Sequence, residues 1–182
     1  MIPTALLLVC FQNEHFPGGK LALPGAEEAA QRAGVLLQCF RDHHQLHIHA
    51  QREDRQKTAS LFVPGTEGIR INDQVPHYEG EPIVYPTREN AFSDPALKNI
   101  LTSRSIGRLI ICGLGEQALA QTSLAARTLG LEVLLCRDAI AGFPLLEKDD
   151  LGFLAKTVEA TMALLAGEQI SGLRNFQTPK LQ

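Results

Sequence analysis

The segment Leu109-Ile-Ile-Cys-Gly-Leu-Gly-Glu-Gln-Ala-Leu-Ala120 joins an apolar run to a helical one through two glycines. The run Arg108–Cys112 has the continuous apolar character of a strand buried on both faces. Residues Glu116–Leu129 have helical spacing, and Gly130 is placed to end that helix. A second apolar run, Leu131–Cys136, follows at once. This strand–helix–strand order predicts a parallel α/β sheet.

The rest of the chain continues the alternation of strands and helices. Further strands are predicted at Thr4–Cys10, Gln45–Gln51 and Ile83–Tyr85, and further helices at Ala26–His43, from Asp94 onward and at Leu151–Ala166. Asp94 is expected to cap its helix, with Pro95 in the first turn. The last helix has an apolar stripe, which consists of Leu151, Leu154, Val158, Met162 and Leu165. We therefore predict a single domain, residues 1–182, folded as a three-layer α/β/α sandwich around a mostly parallel sheet.

Composition excludes several classes of function. The net charge is −3 and the basic residues are scattered, so no nucleic-acid partner is expected. No run reaches the roughly 18 apolar residues of a membrane span, and no membrane partner is expected. Ala5–Val9 is typical of a first strand rather than a secretory signal, which favours a cytoplasmic location. The four cysteines lack paired short spacing, so we expect reduced thiols.

Three segments carry a family resemblance. They are the segment quoted above, Ala5-Leu-Leu-Leu-Val-Cys-Phe-Gln-Asn-Glu14 and Pro82-Ile-Val-Tyr-Pro-Thr-Arg-Glu-Asn-Ala-Phe92. With the turns Phe16-Pro-Gly-Gly19 and Phe62-Val-Pro-Gly-Thr66, they resemble the isochorismatase-like cysteine hydrolases, which include nicotinamidases and carbamoylsarcosine amidases. The resemblance implies the Rossmann-like topology of that superfamily. It also implies a homo-oligomer, because these proteins commonly form dimers or larger rings.

The resemblance fails at the reactive residues. The superfamily places an Asp, a Lys and a Cys at positions that read Cys10, Pro86 and Leu119 here. In the family the Cys attacks a carbonyl carbon, the Asp acts as base and acid, and the Lys favours the thiolate. Leu119 has no nucleophilic atom and Pro86 has no charge. The sequence therefore predicts a pseudoenzyme with a degenerate triad, which binds an unidentified small molecule or serves as an assembly subunit.

The place of a ligand follows from the predicted topology. In open parallel sheets, ligands bind beyond the carboxyl ends of the strands. The pocket is accordingly predicted to be lined by Cys10, Phe11, Arg88, Phe92, Glu116 and Leu119.

One alternative is a hydrolase of a small amide or ester with rearranged chemistry centred on Cys10. Glu14, His15 and Glu116 would then surround the thiol, and Arg88 would replace the missing lysine charge. The competing interpretation is that Cys10 is a small, inert core residue, as buried free cysteines usually are.

A second alternative is dinucleotide binding through Gly113-x-Gly115-x-x-Ala118, with Asp138 at the end of the next strand. The glycines would admit a pyrophosphate to the helix N-terminus. Glu116 would oppose it by placing a negative charge in the same turn.

The histidines His43, His44, His47 and His49 are the remaining candidate ligands. His47 and His49 share one face of the predicted strand. His43 and His44 stand at a helix end, where imidazolium interacts favourably with the helix dipole. No Asp-x-His pattern follows the strand. We favour these helix-end and strand-face roles over a metal site, and expect neither metal nor cofactor.

Overall fold

The computed structural model describes residues 2–142 and 154–167. Its strands are β1 (Thr4–Val9), β2 (His47–Ala50), β3 (Ile83–Val84), β4 (Arg108–Leu114), β5 (Glu132–Ala141) and β6 (Leu154–Lys156). Its helices are α1 (Ala26–Asp42), α2 (Pro95–Ser103), α3 (Glu116–Thr128) and α4 (Val158–Gly167). None of the helices in these ranges is long and apolar enough to cross a membrane.

The sheet has the order β3-β2-β1-β4-β5-β6, and every ladder between these strands is parallel. The predicted α/β architecture is therefore confirmed. Because all strands point the same way, their carboxyl ends meet along one edge of the sheet, where ligands bind in such folds.

Alternate residues of the central strands supply two separate cores, which produces the three layers. On β1, Leu6 and Leu8 pack with α1 and α4. Leu7 and Val9 face the opposite way and pack with α2 and α3. All residues of β1 and β4 are buried, which explains the unbroken apolar runs in the sequence.

The predicted caps are present at two helix ends. The Asp94 carboxylate accepts a hydrogen bond from the Ala96 amide at 2.9 Å, and Pro95 opens α2. Gly130 follows α3 with a positive φ of 83°.

The predicted helix over Leu151–Ala166 is wrong in its first half. Leu154–Lys156 is instead a sixth strand, paired with β5, and the helix begins at Val158. The N-terminus of this helix is capped by a residue that is distant in sequence, because the Asp138 carboxylate accepts a hydrogen bond from the Val158 amide at 2.9 Å. Of the predicted apolar stripe, Val158, Met162 and Leu165 lie on this helix and are buried. Leu151 lies outside the described residues.

Strand β5 is longer than the predicted Leu131–Cys136, because it resumes after an irregularity. Ile111 pairs with Leu135, whereas Gly113 pairs with Ile140. The extra residues of β5 include Asp138, which this bulge leaves partly exposed beside α1 and α4.

Candidate functional site

Cys10 lies directly after β1, at the carboxyl edge of the sheet. Its backbone is left-handed, with a φ of 56°, and its amide donates to the Ala50 carbonyl at 3.0 Å. The side chain is 3% exposed and packs in the core cluster that includes Leu119. Burial raises the pKa of the thiol to about 12, and the Glu89 carboxylate adds to the rise while Arg52 opposes it. The thiol is therefore neutral at pH 7.

Arg52 is the cation at this edge, and it comes from the end of β2. Its Nη2 lies 3.0 Å from Glu89 Oε1, and its guanidinium lies 4.8 Å from the centre of the Phe62 ring. The Arg52 Nε is buried and has no hydrogen-bond partner among the described residues. An unpaired buried donor is costly, so an acceptor that reached this N–H would stabilise the site.

Gln12 holds Arg52 in place. Its amide nitrogen donates to the carbonyls of Arg52 and Ile69, both at 2.9 Å. Its amide oxygen accepts from the Arg52 backbone N–H at 2.8 Å. Gln12 is fully buried, so these bonds fix the end of β2 against the loop after β1 without offering anything to a ligand.

His15 completes the polar side of the site. Its ring lies 5.4 Å from the Phe62 ring, and its Nδ1 lies 3.3 Å from the Leu21 carbonyl oxygen. Burial lowers the pKa of His15 below its ordinary value, so the ring is neutral at pH 7. Glu14, the preceding residue, is also buried.

Leu119 and Pro86, the other two positions that the resemblance matches to reactive residues, have neither a nucleophilic nor a charged side chain. Leu119 lies in the first turns of α3 and is completely buried, with its Cδ2 atom against Gly113. Pro86 follows β3, is buried, and contributes its carbonyl to a 3.0 Å bond from the Glu53 amide. Together with Cys10 they occupy the carboxyl edge of the sheet, as the topology predicts.

The structure separates several residues that the sequence grouped in one pocket. Phe11 packs in the core on the α1 side of the sheet, away from Leu119. Phe92 lies between α2 and α3. Arg88 and Glu116 are exposed. The cation whose charge lowers the Cys10 pKa is Arg52, a residue that the sequence did not single out.

The burial of Cys10 predicts an unreactive thiol. A thiol with a pKa of about 12 forms far fewer thiolates at pH 8 than an exposed cysteine does, and the thiolate is the form that iodoacetamide alkylates. We expect iodoacetamide to alkylate Cys10 at pH 8 at least about a hundredfold more slowly in the folded chain than in urea. Peptide mapping by mass spectrometry separates Cys10 from the other cysteines. Alkylation of folded Cys10 as fast as of the unfolded thiol would contradict the burial.

The residues of the dinucleotide pattern have packing roles. A Cβ on Gly113 would lie 2.7 Å from the Val9 carbonyl oxygen, so this glycine allows β1 and β4 to approach. Gly115 has a φ of 90° at the start of α3. The Asp138 carboxylate accepts from Arg32 Nε and from the Val158 amide, each at 2.9 Å. Strand packing therefore accounts for Gly113, and hydrogen bonding to Arg32 and the start of α4 accounts for Asp138.

The histidines also have local partners. His47 Nε2 lies 3.0 Å from Glu81 Oε1, and Arg41 Nε bonds the same carboxylate oxygen at 2.6 Å. Although burial opposes ionisation, hydrogen bonds from Arg41 help to hold the pKa of Glu81 at about 2. Burial lowers the pKa of His49 to about 4, and its Nε2 lies 3.0 Å from the Val75 carbonyl oxygen.

The other two histidines, His43 and His44, lie at the end of α1 rather than on β2. His43 Nδ1 lies 2.8 Å from the Cys39 carbonyl oxygen, and His44 is exposed with a φ of 53°. Within residues 2–142 and 154–167, no group of three or more His, Cys, Asp or Glu side chains could hold a metal ion.

Comparisons with known proteins bear on this fold. The family model for the Isochorismatase domain matches residues 4–162. Over 111 residues the chain is 36% identical to the isochorismatase family protein YddQ of Bacillus subtilis, which covers 61% of this chain and 62% of the relative. Over 171 residues it is 28% identical to streptothricin hydrolase of Streptomyces noursei, covering 93% of this chain and 66% of that enzyme. Less than two thirds of either relative is thus matched.

A solved structure agrees with the sequence matches. The crystal structure of an isochorismatase family protein from Desulfovibrio vulgaris superposes with a TM-score of 0.82 at 23% identity. The superposition covers 91% of this chain and 100% of the other, which shows a common fold. With the family match over most of its length, the chain belongs to the Isochorismatase domain family.

Proposed function

We propose that the chain is a non-catalytic homologue of the hydrolases in this family and binds a small molecule at the carboxyl edge of its sheet. The observation that supports this proposal is the state of the reactive positions. Leu119 supplies no nucleophile, Pro86 supplies no charge, and Cys10 is held as a neutral thiol with a pKa of about 12. Cysteine hydrolysis needs a thiolate, which these surroundings disfavour.

The groups that remain at the edge are suited to binding. Arg52 has a buried Nε–H without a hydrogen-bond partner among the described residues, and its Nη2 is paired with Glu89 Oε1. The Phe62 ring lies against the guanidinium, and the neutral His15 ring packs against Phe62. A ligand with a carbonyl oxygen could accept from Arg52 while its own N–H donates to Glu89. Such a pairing satisfies the unbonded donor.

The names of the relatives are not evidence that this chain hydrolyses a substrate. Streptothricin hydrolase is a hydrolase by name, and the match covers 66% of its length. For hydrolysis on Cys10 to operate here, the thiol would have to ionise while buried beside Glu89. We therefore favour binding over the rearranged hydrolase.

The proposal is tested by ligand binding in variants of Arg52. Small amides, lactams and carboxylates would be screened by NMR against the wild-type chain, and each hit titrated. We expect Arg52→Gln to weaken the hits at least about tenfold, because one good hydrogen bond to a charged group contributes roughly 1.5–3 kcal/mol. Arg55→Gln is the matched control, since the Arg55 side chain is 73% exposed.

Two results would oppose a small-molecule role. One is a set of hits that Arg52→Gln leaves unchanged. The other is an absence of hits together with a stable assembly in sedimentation experiments, which would favour the role of an assembly subunit, including the homo-oligomer that the family resemblance predicts.

A further inference from the structure

A concave surface lies between α2 and α3, away from the strand ends, and we call it the α2–α3 groove. It consists of two adjoining cavities of about 280 Å³ and about 620 Å³. Both are lined by Phe92, Lys98 and Leu129. Leu101 lines the smaller cavity and Leu124 the larger. The larger volume is in the range of sites for single small ligands.

The apolar character of the groove comes from a second face of α3. This helix buries Leu119, Thr122 and Ala126, whereas Leu124 is 63% exposed on the groove side. Leu129, just after the helix, is 43% exposed. No described residue covers these side chains. A ligand that buried them would bind with a favourable hydrophobic free energy.

Lys98 gives the groove its charge. It is the single charged residue among the described side chains that line the two cavities, and no acidic residue lines either of them. No described carboxylate forms an ion pair with it. Asp94, one turn earlier on the chain, bonds the amides of Ala96 and Tyr85 with its two oxygens. The groove therefore combines an apolar floor with one cation that has no ion-pair partner among the described residues.

We infer that the α2–α3 groove binds a small amphipathic anion, such as an aromatic or medium-chain carboxylate. The apolar body of such a ligand covers Phe92, Leu124 and Leu129, and its carboxylate pairs with Lys98. A second copy of the chain fits less well. A two-fold contact brings the same patch from both copies together, and the lining has no acidic residue that could pair with Lys98 of the other copy. This site is independent of the one proposed at the strand ends.

The test uses two ligands with the same aromatic body. 2-Naphthoate and 2-naphthamide would be titrated into the chain while the leucine methyl resonances are followed by NMR. We expect saturable shifts at Leu101, Leu124 and Leu129, with the carboxylate at least five times tighter than the amide. Lys98→Gln is expected to abolish that preference, and Leu124→Gln to weaken both ligands. Lys57→Gln removes an exposed cation elsewhere and should change nothing.

The inference is overturned by any of three results. The shifts do not saturate or lie outside the groove, or the preference for the carboxylate survives in Lys98→Gln, or the chain self-associates through the groove. The last result would show as a concentration-dependent dimer in sedimentation that Leu124→Gln dissociates. Thermal melting confirms that each variant is folded, which is expected because Lys98, Leu124 and Lys57 are all exposed.

Discussion

Replacing Cys10 by aspartate is expected to destabilise the chain by about 3 kcal/mol at pH 7, although aspartate is the residue that the resemblance implies at this position. The site is buried, and its surroundings already raise the pKa of the thiol to about 12. A carboxylate there would be a buried charge without a lysine beside it, because the position that the resemblance matches to the family's lysine is Pro86. Unpaired buried charges cost roughly 3–5 kcal/mol.

Cys10→Asn is the matched control for this variant. Asparagine has the size of aspartate and also tolerates the left-handed backbone at φ 56°, so the difference between the two isolates the charge. Burial raises the pKa of the aspartate above its unfolded value of about 3.9. The aspartate variant is therefore expected to be most stable relative to the asparagine variant below that pH. It loses this relative stability as the pH rises and the carboxyl group ionises. Urea unfolding at pH 4 and pH 7 measures this. Equal stabilities at pH 7 would show that Arg52 supports a carboxylate here.

Replacing Gly113 by alanine is expected to cost about 2–3 kcal/mol, since overpacking a close contact has that effect. The added Cβ would lie 2.7 Å from the Val9 carbonyl oxygen and 2.9 Å from both Val9 Cβ and Leu119 Cδ2. The Val9 carbonyl oxygen belongs to the backbone of the central β1–β4 pair, so it cannot move away from the added Cβ. Denaturant unfolding measures the loss.

The control for Gly113 is Gly107→Ala, whose Cβ would meet only the Ile2 side chain. Ile2 is partly exposed near the start of the chain and can move, so a cost below about 1 kcal/mol is expected. If Gly113→Ala is as stable as the wild type but loses binding of an added dinucleotide, the packing explanation is wrong and the phosphate-binding interpretation is restored.

Much of the fold could be predicted because it depends on local signals. The apolar runs of β1 and β4, the cap at Asp94 and the stop at Gly130 are all visible in the sequence. Strand β6 was missed because Leu154–Lys156 falls within a helical pattern of apolar residues. Its pairing with β5 and the distant cap from Asp138 decide the structure there. Neither the strand pairing nor the distant cap can be inferred from a short stretch of the sequence.

The candidate site was predictable in its location but not in its composition. The strand order places Cys10, Pro86 and Leu119 at one edge of the sheet, as expected. Arg52 gave no signal, because it opens a polar stretch that is typical of an exposed loop. Its position depends on Gln12, 40 residues away, whose amide bonds its backbone. Contacts of that range cannot be inferred from spacing.

The central claim is that the chain keeps the family fold without cysteine hydrolysis, and an activity screen tests it most directly. Wild type and Cys10→Ala would be assayed on nicotinamide, N-carbamoyl amides, simple esters and isochorismate, with folding of both verified by circular dichroism. We predict no turnover above the buffer rate for either protein. Turnover by the wild type would contradict the claim, and its loss in Cys10→Ala would assign the chemistry to that thiol.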